Sequence, residues 1–294
     1  MKTVLVTGAA GFIGQHLVTY LAERGHRVIG WEWRGRLPDA VRARCASTIH
    51  HDIWFADSVG KALQPCDAII HAAAVCPFRE SRPADSVTAE LYLTTNTLGT
   101  LRLATAAKTA EVPRFIYLST AQMYAPLTYP VAESAPMDPI AHTAYCHSKL
   151  GGEWHVRTVY PHNHVILRLG SAYGPGGFSV IDSFLRSAQH GFPLTVYGDG
   201  TARMNPLFVQ DVAAVAEKAL FTGHGPYNAS GPSCTLMDAA LAITEHYPRS
   251  ALRFEEKPAC SFPPLNTEKA TAQWRIVFKP LREGLNHYAH GDLC

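Results

Sequence analysis

Thr7-Gly8-Ala9-Ala10-Gly11-Phe12-Ile13-Gly14 is the stretch that decides the fold. It follows directly on the β-rich run Thr3–Thr7 and opens an amphipathic stretch over residues 11–24. In a strand–turn–helix of this kind the glycines permit a tight turn and a close backbone approach. A pyrophosphate then rests on unpaired amides at the positive end of the helix. Gly8, Gly11 and Gly14 are therefore the candidate phosphate cradle, with Phe12 and Ile13 between them.

Downstream the same alternation continues. Short apolar, β-branched runs at 27–31, 68–71, 115–119 and 165–169 are separated by helical stretches, notably 90–108 and 143–160. This order predicts an α/β fold of the Rossmann type, a doubly wound parallel sheet with helices on both faces. After Tyr173 the texture changes, with Gly174-Pro175-Gly176-Gly177, then Gly223-His224-Gly225-Pro226, then Pro263-Pro264. The reading is a dinucleotide-binding domain over 1–173 and a smaller, discontinuous α/β substrate region over 174–294, with 206–227 as a candidate to rejoin the first.

The 294 residues hold 26 basic and 24 acidic side chains, a net charge of +2, which gives no electrostatic case for nucleic acid. No apolar run reaches the roughly 18–20 residues that span a bilayer, so no membrane segment is expected. The opening Met1-Lys2-Thr3-Val4-Leu5-Val6 reads as mature structure, because the glycine turn interrupts its apolar run. Seven widely spaced cysteines without a C-x-x-C pair read as reduced thiols of a cytoplasmic protein. His50-His51 and His162-Asn163-His164 lack companion ligands at a recognised metal spacing, and no metal is expected.

Glu32 ends the second expected strand, where an acid accepts from an adenosine ribose and repels a 2′-phosphate. That favours NAD, with NADP as the alternative because Arg34 and Arg36 follow closely. Trp31 and Trp33 read as packing rather than cofactor contacts. Tyr145 and Lys149, four apart on one helix face, pair a phenol with an ammonium that favours the phenolate. Tyr145 is then a candidate proton acceptor from a substrate hydroxyl, and Ser119-Thr120, at a strand end, offer hydroxyls to the same oxygen. Cys146, between them, reads as a filler rather than a nucleophile.

Taken together, these segments resemble the extended short-chain dehydrogenase/reductase family, in its NAD(P)-dependent epimerase/dehydratase branch, that of UDP-galactose 4-epimerase. The turn TGAAGFIG matches T-G-x-x-G-x-x-G, and His51-Asp52-Ile53 matches the segment placed at the adenine. His71-Ala72-Ala73-Ala74 resembles the strand end lining the pyrophosphate and nicotinamide ribose, and Asn96-Thr97-Leu98-Gly99-Thr100 resembles the N-x-x-G-T helix. Tyr173-Gly174-Pro175-Gly176, Tyr197-Gly198-Asp199-Gly200, 266–270 and 279–285 resemble its later signatures.

The resemblance implies a catalytic set of Thr120, Tyr145 and Lys149. It also implies a cofactor set of Gly8, Gly11, Phe12, Ile13, Gly14, Glu32, Asp52, Ile53, Ala72, Ala73, Ala74, Asn96, Tyr145, Lys149 and Gly170. The substrate candidates are Ser119, Thr120, Ser171 and Arg203. Ser171 stands where relatives that act on nucleotide sugars carry Asn, and Met204 where they carry Arg. Arg203, one residue earlier, would point the opposite way on an extended segment. Ala121-Gln122 replaces the Asp-Glu pair of dehydratases.

The implied function is an NAD(P)-dependent nucleotide-sugar epimerase that oxidises a hydroxyl to a ketone. The alternatives are a dehydrogenase or reductase of a sugar or other small carbonyl compound and, from another class, a non-catalytic dinucleotide sensor. The resemblance also implies a homodimer through the helices at 90–108 and 143–160.

Overall fold

A computed structural model describes residues 1–64, 66–76, 86–125, 128–137 and 143–289, with residues 86–88 as backbone alone. Seven strands form the central sheet: β1 (Thr3–Thr7), β2 (Arg27–Glu32), β3 (Ser47–His50), β4 (Ala68–His71), β5 (Phe115–Thr120), β6 (His164–Leu169) and β7 (Gly225–Ala229). They lie in the order β7-β6-β5-β4-β1-β2-β3, every neighbouring pair parallel.

Because side chains alternate across a strand, each face of the sheet has its own core. Val4, Val6, Ile70, Ile116, Leu118, Val165 and Leu167 pack with Leu17, Val18 and Leu21 of α1 (Phe12–Glu23). Leu5, Ile69, Phe115, Tyr117 and Ile166 face Leu103, Ala104 and Ala107 of α2 (Thr100–Thr109) and Val156 of α3 (Ala144–Val159). The chain winds outward from β1 through β2 to β3 and then returns to the other flank of β1 as β4. A reversal of this kind leaves a crevice at the carboxyl ends of β1 and β4, where such sheets take their ligands.

The segment 174–294 divides between two cores. α4 (Val209–Ala219) contributes Val212, Val215 and Ala216 to the α1 face, and β7 closes the sheet beside β6. Ala270, Trp274, Ile276 and Phe278 join the same core, a return that the boundary reading did not include. The remainder packs around Ile181, Phe184, Leu185, Val196, Leu236 and Ile243, with Leu194–Tyr197 parallel to Leu252–Glu255. Its helices Val180–Gln189 and Leu236–His246 begin at capping boxes, Ser179 with Asp182 and Thr235 with Asp238.

Three elements differ from the sequence expectation. Residues 90–108 are not one regular helix: Ser86–Tyr92 is followed by a π-helical stretch, Leu93–Gly99, and then by α2. The wider turn carries Asn96, whose side chain bonds Val75 and Ser148; such insertions concentrate at functional sites. Strands β3 and β7 carried no alternating signal. Both are sheet edges, where Gly225 and Pro226 of β7 are tolerated. No described helix is long and apolar enough to cross a membrane.

Candidate active site

The glycine turn is built for close approach. Gly8 has φ +67°, and a Cβ there would lie 2.8 Å from the Ala73 amide nitrogen. At Gly14 a Cβ would lie 2.0 Å from the Gly8 carbonyl oxygen. Gly11 N donates to Gly8 O at 2.8 Å and Gly11 itself caps α1, with no side chain on the cap. The first amides of α1, at Phe12, Ile13 and Gly14, are thus the groups an anion would meet. Gly14→Ala is expected to cost about 1–3 kcal/mol of stability, the usual range for overpacking. It should also abolish retention of a dinucleotide, measured by urea denaturation and by titration with NAD.

A hydrogen-bond chain fixes the facing wall. Ala73 N donates to Thr7 Oγ1 (3.2 Å), which lies 2.7 Å from His71 Nδ1. His71 Nε2 lies 2.9 Å from Thr100 Oγ1, whose own proton goes to Asn96 O (2.6 Å). The Thr100 hydroxyl therefore accepts from His71, which fixes a neutral ring protonated on Nε2. Burial, with the Lys149 charge nearby, keeps His71 well below the usual histidine range. Asn96 completes the wall, accepting from Val75 N (2.8 Å) and donating to Val75 O (3.0 Å) and Ser148 Oγ (3.0 Å). Ala72 and Ala73 are so held against the glycine turn, and Ala74 follows them in the chain.

On the adenine side, Glu32 is 4 % exposed and already engaged. Its Oε2 accepts from Leu37 N (2.5 Å) and its Oε1 from the Arg42 guanidinium (2.7 Å). A carboxylate has about four acceptor sites, so each oxygen retains capacity for a ribose hydroxyl. Arg34 stacks over Trp33 and Arg36 pairs with Asp39, while Trp31 is buried and donates to His51 O. Asp52 accepts from Trp54 N at the start of a 3₁₀ turn whose first residue, Ile53, is buried.

Thr120 ends β5, and Tyr145 and Lys149 lie on α3, which packs against that strand. Thr120 accepts from Gln122 N (3.2 Å) and keeps its own proton to donate. Ser119 is buried, and its hydroxyl has no hydrogen-bond partner among the described residues. Cys146 Sγ donates to Gln122 O at 3.8 Å, which joins the first turn of α3 to the turn after Thr120. That same α3 carries Tyr145, whose ring meets Tyr92 edge-on at 5.9 Å. Burial pushes the Tyr145 phenol well above its ordinary value, reinforced by Cys76, Tyr117, Cys146 and Tyr92 around it.

Lys149, 3 % exposed, is driven down to about 7 by burial, partly offset by Glu153 and Cys76. Its Nζ lies 4.1 Å over the Tyr117 ring. Lys149 is not among the groups that shift the Tyr145 phenol in this arrangement. The ammonium rests on Tyr117, and desolvation of the phenol prevails.

The Lys149 shift carries a sign. Its folded-state value lies below its unfolded one, so between about pH 7 and the ordinary lysine range the unfolded chain binds the extra proton. The contribution of Lys149 to stability therefore improves as pH rises through that window. The parent should gain stability relative to Lys149→Met from pH 7 to 9, by at most about 1.4 kcal/mol per unit, read from paired urea titrations.

Several functional contacts were not read from the sequence. Arg168 on β6 is fully buried and donates to both oxygens of Glu153 on α3 (2.9 and 2.8 Å). It also donates to the Tyr124 hydroxyl (2.9 Å) and Glu133 O (3.0 Å). Tyr124 in turn donates to Asn228 Oδ1 (2.6 Å) on β7, and Asn228 donates to Val131 O and Asn266 O. Gly151 and Gly152 let α3 approach: a Cβ on the first would be 2.8 Å from Thr97 Cγ2, and on the second 2.2 Å from the Tyr117 hydroxyl. Two glycines inside a helix, each costing about 1 kcal/mol against alanine, were the signal that could have found this contact.

On the substrate side, Gly170 admits the Asn205 carbonyl, which would lie 2.4 Å from a Cβ there and accepts from Ser171 N (2.7 Å). Met204 is buried in the third core. Arg203, exposed, points the other way and donates to Ser233 Oγ (3.3 Å).

Residues 4–229 match the NAD dependent epimerase/dehydratase family, and the chain belongs to it. UDP-glucose 4-epimerase of Mycolicibacterium smegmatis is 32% identical over 72% of this chain and 71% of its own length. UDP-glucuronic acid decarboxylase 4 of Arabidopsis thaliana is 29% identical over 96% of this chain, which spans 66% of that protein's length. Among solved structures, UDP-glucuronic acid 4-epimerase of Bacillus cereus, in complex with UDP-glucuronic acid and NAD, superimposes with a TM-score of 0.82 at 25% identity, over 98% of each chain. The Bordetella bronchiseptica enzyme WbmH, in complex with NAD+, gives 0.80 at 28% identity, over 99% of this chain and 98% of its own.

Proposed function

We propose that this chain is an NAD-dependent nucleotide-sugar epimerase that inverts a hydroxyl-bearing carbon through a ketone. The observation that carries the reading is that the glycine turn after β1, the Ala72–Ala74 segment after β4 and Thr120 at the end of β5 follow the carboxyl ends of neighbouring parallel strands, while α3, which bears Tyr145 and Lys149, is tied to the turn after Thr120 through Cys146. The relatives with bound NAD and UDP-sugars support the same choice of ligands.

The residues fit the dinucleotide. Gly8 and Gly14 leave no room for a side chain within the turn, α1 offers its uncapped N-terminus to a pyrophosphate, and Glu32, at the end of β2, keeps acceptor capacity for a ribose hydroxyl. A negative charge there disfavours a 2′-phosphate, hence NAD over NADP. When bound, NAD supplies a reversible hydride acceptor. Thr120 holds the substrate oxygen, with Ser119 beside it. Tyr145 accepts the hydroxyl proton as the ketone forms and gives it back as the ketone is reduced. Lys149, once off the Tyr117 ring, would hold the nicotinamide ribose and favour the phenolate, and Asn96 keeps the wall and α3 in register.

A buried Met204 and an exposed, outward Arg203 leave the diphosphate without the arginine expected at that position. That observation favours, as a second reading, a reductase of another small carbonyl compound. One relative, 2-alkyl-3-oxoalkanoate reductase of Stenotrophomonas maltophilia, is 27% identical over 76% of this chain. Incubating freshly purified protein with UDP-glucose or UDP-glucuronic acid, without added cofactor, separates the two. The 4-epimer appearing by proton NMR supports the epimerase. Unchanged sugar from protein shown by native mass spectrometry to carry NAD would overturn it.

Leu93, Leu98 and Trp154 are exposed on the π-helical stretch and α3, which supports a homodimer through these helices. Sedimentation should then give twice 32.1 kDa. Cys45, Cys66, Cys146, Cys234 and Cys260 are free thiols, which supports a reducing, cytoplasmic setting; Cys294 lies outside the described residues.

A further inference from the structure

We infer that Tyr117 is a positioning residue for Lys149, its ring face being the seat on which the ammonium rests until the dinucleotide arrives. The inference rests on the reading that Lys149 serves the cofactor and the phenol. Tyr117, on β5, is fully buried, and the Lys149 Nζ stands 4.1 Å from its ring centroid, within the distance at which an aromatic face attracts a cation. Among the described residues no carboxylate lies within ion-pair distance of Lys149. Glu153, one turn further along α3, gives both of its oxygens to Arg168.

Glu153 and Cys76 favour the charged form of the lysine, and the remaining groups around it are uncharged. On β4, His71 lies with its ring 5.5 Å from that of Tyr117 and keeps its neutral form. Thr100 on α2 accepts from His71, Cys76 follows β4, and Tyr145 and Cys146 on α3 are phenol and thiol with raised values. The aromatic face, 4.1 Å away, lies directly against the charge.

Tyr117 cannot slide from under the lysine. Its hydroxyl reaches Lys149 O at 3.4 Å and occupies the space where a Cβ on Gly152 would come within 2.2 Å. The ring, its hydroxyl and the glycine fit as a key under one turn of α3. A lysine held by an aromatic face, not by a carboxylate, gives up a contact that is easily exchanged for a ribose hydroxyl. Its charge then moves from a face of the sheet to the side of Tyr145 where it is needed.

The test is NMR of protein carrying carbon-13 lysine, in the absence of cofactor, with Lys149 assigned by its loss in Lys149→Arg. The Lys149 ε-protons are expected upfield of the random-coil position through the Tyr117 ring current, to lose that shift in Tyr117→Leu and to keep it in Tyr117→Phe. Adding NAD is expected to move them downfield. A ring shift that persists unchanged while NAD binds would overturn the waiting role.

Turnover should fall about tenfold in the Tyr117→Leu variant, equal to about 1.4 kcal/mol, and be largely rescued in Tyr117→Phe. Lys149 ε-protons at the random-coil position in the parent would overturn the proposal. So would equal losses of turnover in the two variants. Should the Tyr117→Leu protein fail to fold, the parent spectrum and its change on NAD addition still decide the matter. A ring shift present in protein that does not bind NAD supports the seat and counts against the cofactor reading instead.

Discussion

Tyr145→Phe should lower turnover on a UDP-sugar by about 10²–10⁴-fold, the usual share of a positioned proton donor and acceptor, while NAD binding changes little. The phenol is the group placed to exchange a proton with the substrate oxygen. The surrounding rings and thiols raise its proton affinity, so no neighbouring side chain is ready to replace it: Cys146 is tied to Gln122 O and Lys149 rests on Tyr117. Phe conserves the ring and its edge-on contact with Tyr92, so stability should be nearly conserved and the loss confined to kcat. Stopped-assay rates with both proteins loaded with NAD, together with their urea midpoints, would check both halves. A Tyr145→Phe protein as active as the parent would remove Tyr145 from the chemistry.

The largest stability effect is expected at Arg168. Its guanidinium, out of contact with water, joins Glu153 on α3, the Tyr124 hydroxyl and Glu133 O, and through Tyr124 and Asn228 it reaches Val131 and Asn266. Taking away one partner of a buried pair leaves the other charge without compensation, at a cost of about 3–5 kcal/mol. Arg168→Met leaves Glu153 in the core with only the partly exposed Arg157 (3.2 Å) still bonded to it, and should cost about 3 kcal/mol, the low end of that range, by urea denaturation. Pairing it with Glu153→Gln should recover part of the loss, because the stranded charge is then gone. Additive losses in the double variant would show that the two residues do not act as a pair. Since the same network carries the segment after Thr120, the single variant should also raise KM for the substrate, even at temperatures where it remains folded.

How much of this was legible in the sequence depends on the range of the signal. The glycine turn and the strands β1, β4, β5 and β6 were readable because a parallel strand buried on both faces is a short apolar run, and the turn announces its own geometry. The edges β3 and β7 were not, since edge strands need no apolar alternation and β7 begins Gly-Pro. The π-helical stretch was hidden too: Leu93–Gly99 reads as ordinary helix, and it is the side chain of Asn96, turned to Val75 and Ser148, that explains the wider turn.

Within the site, residue types and order were readable and partners were not. The i, i+4 spacing put Tyr145 and Lys149 on one helix face. It could not show that a third residue, the aromatic Tyr117 thirty-two positions upstream of Lys149, would take the ammonium first. Likewise Glu32 was readable as a strand-end acid, whereas its bonds to Leu37 and Arg42 come from a loop folding back on it. Arg203 was expected to point away from its neighbour Met204 by strand alternation, and it does, toward Ser233.

The central claim is that a nicotinamide docked at the glycine turn exchanges hydride with a nucleotide sugar whose proton passes through Tyr145. The measurement closest to it is the absorbance of reduced nicotinamide when NAD-loaded protein is mixed with UDP-glucose or UDP-glucuronic acid in a single turnover. A transient reduced species in the parent, decaying as the 4-epimer forms and suppressed in Tyr145→Phe, is the predicted result. Epimer formed with no change at the nicotinamide, or equal transients in the parent and in Tyr145→Phe, would contradict the account.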